Sequence, residues 1–213
     1  MVLLSLVARK NRAKKIVAAL KRLFPKARVF LNYGTSWELL VAVVLSARCT
    51  DKKVNEVTAK LFKKYRKLED YVRARQVEFE EDIKQTGFYR AKTRNILRAA
   101  KLVKEKFGGK IPKTMDEMLE IPGVGRKTAN IVLESVHGIV VGIPVDTHVG
   151  RLARVLGLSS HTDPKKIESD LMELILEKEW RGISYRFIEY GRKFCPARPH
   201  NHAQCPLSRL LKP

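Results

Sequence analysis

Residues 119–149, LEIPGVGRKTANIVLESVHGIVVGIPVDTHV, decide how the chain is read. They set Pro122-Gly123-Val124-Gly125 between two segments of helical apolar spacing, followed by a lysine at 127 and an aspartate at 146. Just upstream, Thr114 and Glu117 have the spacing of a capping box, which predicts a short helix carrying Met118, Leu119 and Ile121 into the core. Pro122 ends it. Gly123 and Gly125 permit backbone angles and close approaches that a Cβ forbids, so amides of the turn can meet a phosphate directly. The next helix starts near Arg126, and its first-turn N–H groups and positive dipole end add to the anion site. Ala129, Ile131, Val132, Leu133 and Val136 form its apolar face. The whole is a helix-hairpin-helix, with Gly123, Val124, Gly125, Arg126 and Thr128 as its candidate DNA-binding residues. Such a device reads no sequence, because backbone amides on phosphates position a protein whereas base contacts specify.

A bare Pro-Gly-x-Gly is also a tight interhelical turn, so the charge of the chain matters. Forty-three Lys and Arg against twenty-two Asp and Glu leave +21 over 213 residues, with a pI near 10.1. That excess favours a polyanionic partner, nucleic acid before an acidic membrane surface. No apolar run approaches the eighteen or so residues that span a bilayer, so no membrane partner is expected. With three cysteines and no charged-then-apolar leader, the chain reads as intracellular, in the cytoplasm or nucleoid, and as a monomer.

Elsewhere the apolar spacing is helical and alternating strands are absent, which predicts an all-α fold of nine or ten helices. Ile16, Val17, Leu20, Leu23 and Phe24 mark one helix, stopped by Pro25. Ser36 is the expected cap of a buried helix through Val44, and Thr50 or Asp51 that of the next. Ile96, Leu97, Ala100, Val103 and Phe107 mark a longer helix ended by Gly108 and Gly109. Asp146 stands where a helix begins, and Asp163-Pro164 is a strong start signal for another. On position alone, an aspartate at a helix start is a cap and a lysine there a phosphate contact.

Four stretches change that reading: VLSARCTD at Val44–Asp51, TGFYRAK at Thr86–Lys92, LEIPGVGRKTANIVL at Leu119–Leu133, and VDTHVGRLARVLGL at Val145–Leu158. Over these the chain resembles the endonuclease III family, bifunctional DNA glycosylases of the helix-hairpin-helix superfamily, from about Trp37 to Cys205. The resemblance implies a two-lobed fold: a six-helix barrel over 27–139, and a second lobe from 1–26 and 140–213, built of N- and C-terminal helices. Damaged double-stranded DNA would lie between the lobes, with Lys127 and Asp146 facing each other over it. It implies Lys127 as nucleophile and Asp146 as the essential carboxylate. Relatives that only remove bases lack that lysine, so base removal coupled to AP lyase cleavage is expected.

The chemistry explains the residue types. Loss of a base develops positive charge on the sugar, which a carboxylate stabilises; an amine attacking C1′ leaves a Schiff base that permits β-elimination. The amine must be neutral to attack. A dry pocket and the positive helix end favour that and a neighbouring carboxylate opposes it, so Asp146 is also expected to help take the lysine proton. A target base must be flipped from the duplex and its place filled. The family's wedge positions fall on Phe88 and on Arg48, where the family usually has glutamine. His148, in the DTH triplet, is expected to order the helix start at the DNA side, and His137 to lie on the surface.

The expected function is a base-excision-repair glycosylase and AP lyase acting on oxidised or ring-reduced pyrimidines. The alternatives are a superfamily relative acting on mismatched thymine or oxidised purine, and a non-catalytic helix-hairpin-helix DNA-binding protein. One departure concerns the cofactor. The family's [4Fe–4S] cluster hangs on C-x6-C-x2-C-x5-C; here Cys195 and Cys205 match the first and third positions, but His202 and Leu211 stand at the second and fourth. With two of four thiolates missing, no cluster is expected. Cys195, His200, His202 and Cys205 form a zinc-type set, but their crowded spacing argues for a loop packed without metal, or for a Cys195–Cys205 disulfide in an oxidising setting.

Overall fold

Residues 5–208 are described in the computed structural model, and among them the regular structure is helical throughout. The helices are α1 (Leu6–Leu23), α2 (Ser36–Leu45), α3 (Asp51–Lys64), α4 (Leu68–Arg73), α5 (Gln76–Ile83) and α6 (Tyr89–Lys106). They continue with α7 (Met115–Glu120), α8 (Arg126–Val132), α9 (Thr147–Val155), α10 (Pro164–Leu174) and α11 (Ile183–Lys193). The chain divides into two compact units, residues 30–139 and residues 1–29 with 140–213. No described helix is long and apolar enough to cross a membrane.

In the middle unit α2 is buried from Leu39 to Leu45, since almost every one of its residues is apolar. Its cap is Thr35, one residue before the expected Ser36. The reason is reciprocity: Glu38 lies three residues after Thr35 and returns a hydrogen bond to the cap backbone, whereas Ser36 would have Leu39 in that place. α6 buries Ile96, Ala99, Ala100 and Val103 and packs on α2, α4 and α5. Trp37, Tyr65, Tyr71 and Phe79 form an aromatic cluster with ring centroids 5.2–5.8 Å apart. α6 stops where Gly108 and Gly109 take positive φ and the Gly109 amide bonds back to Val103.

In the terminal unit α1 packs on α10 and α11, while α9 packs on both of those helices. Ile16, Leu20, Leu152, Leu156, Leu171, Phe187 and Tyr190 belong to one buried cluster. Full burial of such a side chain stabilises by roughly 1.5–3 kcal/mol, and short helices are marginal without it. Tertiary packing, not local propensity, therefore holds helices as short as α9. Asp163 caps α10 by accepting the Lys166 amide at 3.0 Å, with Pro164 in the first helical position.

Candidate active site

The hairpin is built from α7 and α8 and the turn between them. Thr114 caps α7, accepting the Glu117 amide at 3.3 Å, and its hydroxyl donates to the Glu117 carboxylate at 2.7 Å. Met118 and Ile121 are buried, but Leu119 is 45% exposed, contrary to expectation. On so short a helix residues 118 and 121 share one face, and 119 turns away from it. The Val124 amide donates to the Ile121 carbonyl at 3.0 Å, closing a turn in which Pro122 and Gly123 are central. Gly123 has φ +82°, as the third residue of a type II turn requires, and a Cβ there would lie 2.9 Å from Asn95 Cβ on α6.

Gly125 differs from Gly123. Its φ of −100° is open to any residue, and a Cβ there would meet nothing within 4 Å. What glycine gives at this position is an open approach to the start of α8, which no side chain caps. Val124 is buried with its amide closing the turn, Arg126 and Thr128 are half-buried, and Lys127 is exposed. Within the middle unit nothing buries the Lys127 side chain, contrary to the dry surroundings expected. After Val132 the helix widens into a π turn, Leu133–His137, which the apolar spacing did not predict. His137 is half-buried, its Nε2 being 3.2 Å from the Ile111 carbonyl oxygen, rather than on the surface.

The two wedge candidates come together in the same unit. Arg48 and Phe88 are the two described residues other than glycine with positive φ, at 54° and 49°. Phe88 is 62% exposed at the start of α6, and the exposed Arg48 guanidinium lies 5.3 Å from its ring centroid. Left-handed backbone at such residues costs on the order of 1–3 kcal/mol each and persists only where the surroundings impose it. Lys92 is part of what imposes it. This buried lysine donates to the Leu45 carbonyl and to the Thr86 carbonyl, each at 2.8 Å, tying together the loops that carry Arg48 and Phe88. Burial pushes the Lys92 ammonium below the ordinary lysine range, with Cys49 opposing. Sequence reasoning quoted Lys92 within a motif but missed this role, because a lone lysine in a basic helix carries no signal of burial.

In the terminal unit Asp146 is the N-cap of α9: its Oδ1 accepts the Val149 amide at 2.8 Å, and the side chain is half-buried. His148 lies in the first turn of α9, half-buried beside α11. A Cβ on Gly191 would come within 2.9 Å of its Nδ1 and 3.2 Å of Leu152, so Gly191 is what lets α9 and α11 approach there. Nothing in the spacing of Gly191 announced this.

Past α11, Cys195 and Cys205 are buried free thiols, so the disulfide considered from sequence is not formed. Cys195 Sγ lies 3.7 Å from His202 Nδ1 and Cys205 Sγ 3.4 Å from His200 Nε2. Leu211, at the fourth family position, lies outside the described residues.

Fold and hairpin together define a helix-hairpin-helix repair protein, and residues 41–177 match the HhH-GPD superfamily base excision DNA repair protein family. Endonuclease III of Synechocystis sp. is 44% identical over 209 residues, covering 98% of this chain and 95% of that protein. Endonuclease III of Bacillus subtilis is 42% identical over 191 residues, covering 89% and 87%. A solved structure of a trapped endonuclease III–DNA covalent intermediate matches with a TM-score of 0.89 at 40% identity, covering 94% of each chain. The chain belongs to the endonuclease III family, whose members are DNA glycosylases with AP lyase activity.

Proposed function

We propose that Lys127 and Asp146 are the reacting groups of this glycosylase, and that its substrates are oxidised or ring-reduced pyrimidines in duplex DNA. The observation that carries the assignment is an exposed lysine in the first turn of α8, beside an uncapped helix start and an open glycine. There the DNA backbone, held by amides, brings the sugar to the amine. The middle unit is the six-helix barrel lobe and carries the hairpin and the wedge candidates. The relatives' name supports the pyrimidine reading, and the covalent intermediate with DNA trapped in one relative supports a nucleophile on the protein.

The Lys127 Nζ attacks C1′, and the bond from C1′ to the base breaks with the electron pair leaving on the base, which takes up a proton. Asp146 stabilises the positive charge that develops on the sugar and accepts the proton released by the amine. Ring opening gives a Schiff base. This draws electrons from C2′, whose proton is lost as the C3′–O bond breaks and the phosphate-bearing strand leaves. Phe88 and Arg48 fill the gap left by the flipped nucleotide, an apolar ring suiting intercalation. The enzyme does this without a [4Fe–4S] cluster, since the loop offers two thiols where such a cluster takes four, and it acts on DNA inside the cell.

Borohydride trapping on a duplex containing an abasic site tests the nucleophile. A covalent adduct that disappears in Lys127→Ala is expected, and unchanged trapping in that variant overturns the assignment. A lesion panel with excised bases identified by mass tests the substrate class; preferential release of thymine from mismatches or of an oxidised purine overturns it.

A further inference from the structure

We propose that Cys195, His200, His202 and Cys205 bind a single zinc ion where the family usually holds its cluster. Their ligand atoms all lie within 4.8 Å of one another. A tetrahedral zinc with bonds of about 2.3 Å to sulfur and 2.0–2.1 Å to nitrogen sets neighbouring donors roughly 3.3–3.8 Å apart. The two sulfur–nitrogen distances of 3.7 and 3.4 Å already match that spacing. The remaining pairs need a contraction of about 1.5 Å at most to complete such a tetrahedron.

The same geometry does not fit the family's cluster. A [4Fe–4S] group requires four thiolates around a cube of eight atoms, whereas the loop's donors are two thiols and two imidazoles in mutual contact. Cysteine and histidine donors in equal number, arranged to close on one ion, are a structural zinc set.

The surroundings also point to a metal. His200 Nδ1 lies 2.9 Å from the Arg198 carbonyl oxygen, so that nitrogen carries the proton and donates, leaving Nε2 with its lone pair towards Cys205. A backbone carbonyl fixing the tautomer of a histidine is the outer-shell arrangement of metal sites. The Arg151 guanidinium of α9 sits 3.5 Å from Cys195 Sγ and also bonds the Cys195 carbonyl. Zinc would displace one proton from each thiol, and two thiolates balance its charge. It would close residues 195–205 into a loop fastened through Arg151 to α9, the helix that Asp146 caps, replacing the cluster's fastening role with one ion.

Elemental analysis of the purified full-length chain, produced with zinc and iron both supplied, tests this independently of DNA repair activity. About one zinc per chain and negligible iron are expected. His200→Ala should weaken zinc retention at least about tenfold against a competing chelator, while His200→Cys, which restores a donor, should retain the ion. Because variants can unfold, the wild-type chain is also stripped by chelator and refilled with cobalt(II). Strong visible absorption of a tetrahedral thiolate site is expected on refilling. Iron with the broad absorption of a cluster, or a chain that neither carries zinc nor takes up cobalt, overturns the proposal.

Discussion

The starts of α8 and α9 are the same kind of boundary solved in opposite ways. At α8 a glycine precedes the helix and no side chain caps it, with open space where a Cβ would stand. At α9 an aspartate precedes the helix and its own carboxylate takes the Val149 amide. Both ends carry the positive pole of a helix dipole. At α8 that pole has no side-chain cap, at α9 it is filled from within, and the two proposed reacting groups, Lys127 and Asp146, sit one at each. A cap and the proposed catalytic carboxylate therefore need not be rival readings of Asp146, since the cap hydrogen bond fixes how the carboxylate is held.

The largest effect should come from separating those two roles. Asp146→Asn retains the cap, since asparagine caps as well as aspartate, but removes the charge. Base excision in single turnover should fall roughly 10²–10³-fold or more with the melting temperature unchanged. Full activity in this variant would reduce Asp146 to a cap. Next comes Gly123→Ala, which meets both a positive φ and a 2.9 Å contact with Asn95. Denaturant unfolding should show a loss of about 1–3 kcal/mol, together with weaker duplex binding.

Asp146→Ala should lower stability by about 1 kcal/mol beyond Asp146→Asn, the worth of a cap, or about 2–4 °C in melting temperature for a chain of this size. The smallest stability effect belongs to Gly125→Ala. It should remain within about 0.5 kcal/mol, as surface substitutions do, while a gel shift should show weakened duplex binding if the new Cβ stands where the proposed phosphate contact forms. A stability loss as large as that of Gly123→Ala would mean that the two glycines are not specialised as described.

Much of this contrast was legible in the chain. Pro122, Gly123 and the Asp146 helix start read correctly because turn chemistry and capping depend on near neighbours. Thr35 was missed in favour of Ser36 because both are capping residues, and only the reply from Glu38 separates them. Leu119 was misplaced because residue type says apolar while the exposed side of so short a helix is decided by what packs on it. The left-handed backbone at Arg48 and Phe88, and the buried ammonium of Lys92 between their loops, had no local signal at all.

The cysteine loop divides in the same way. Sequence counted two thiols where the family has four, and the expectation of no cluster rests on that count. Crowded spacing then argued against metal, yet folding turns His200 and His202 towards Cys205 and Cys195. By itself the sequence determined the helical periods, the hairpin turn, the helix starts at 126 and 147 and the identity of the donors, because these follow from interactions a few residues apart. Only the tertiary structure decided which side chains are buried, which loops are tied together and which donors meet. Those outcomes depend on groups distant along the chain being packed into contact, and local spacing carries no record of them.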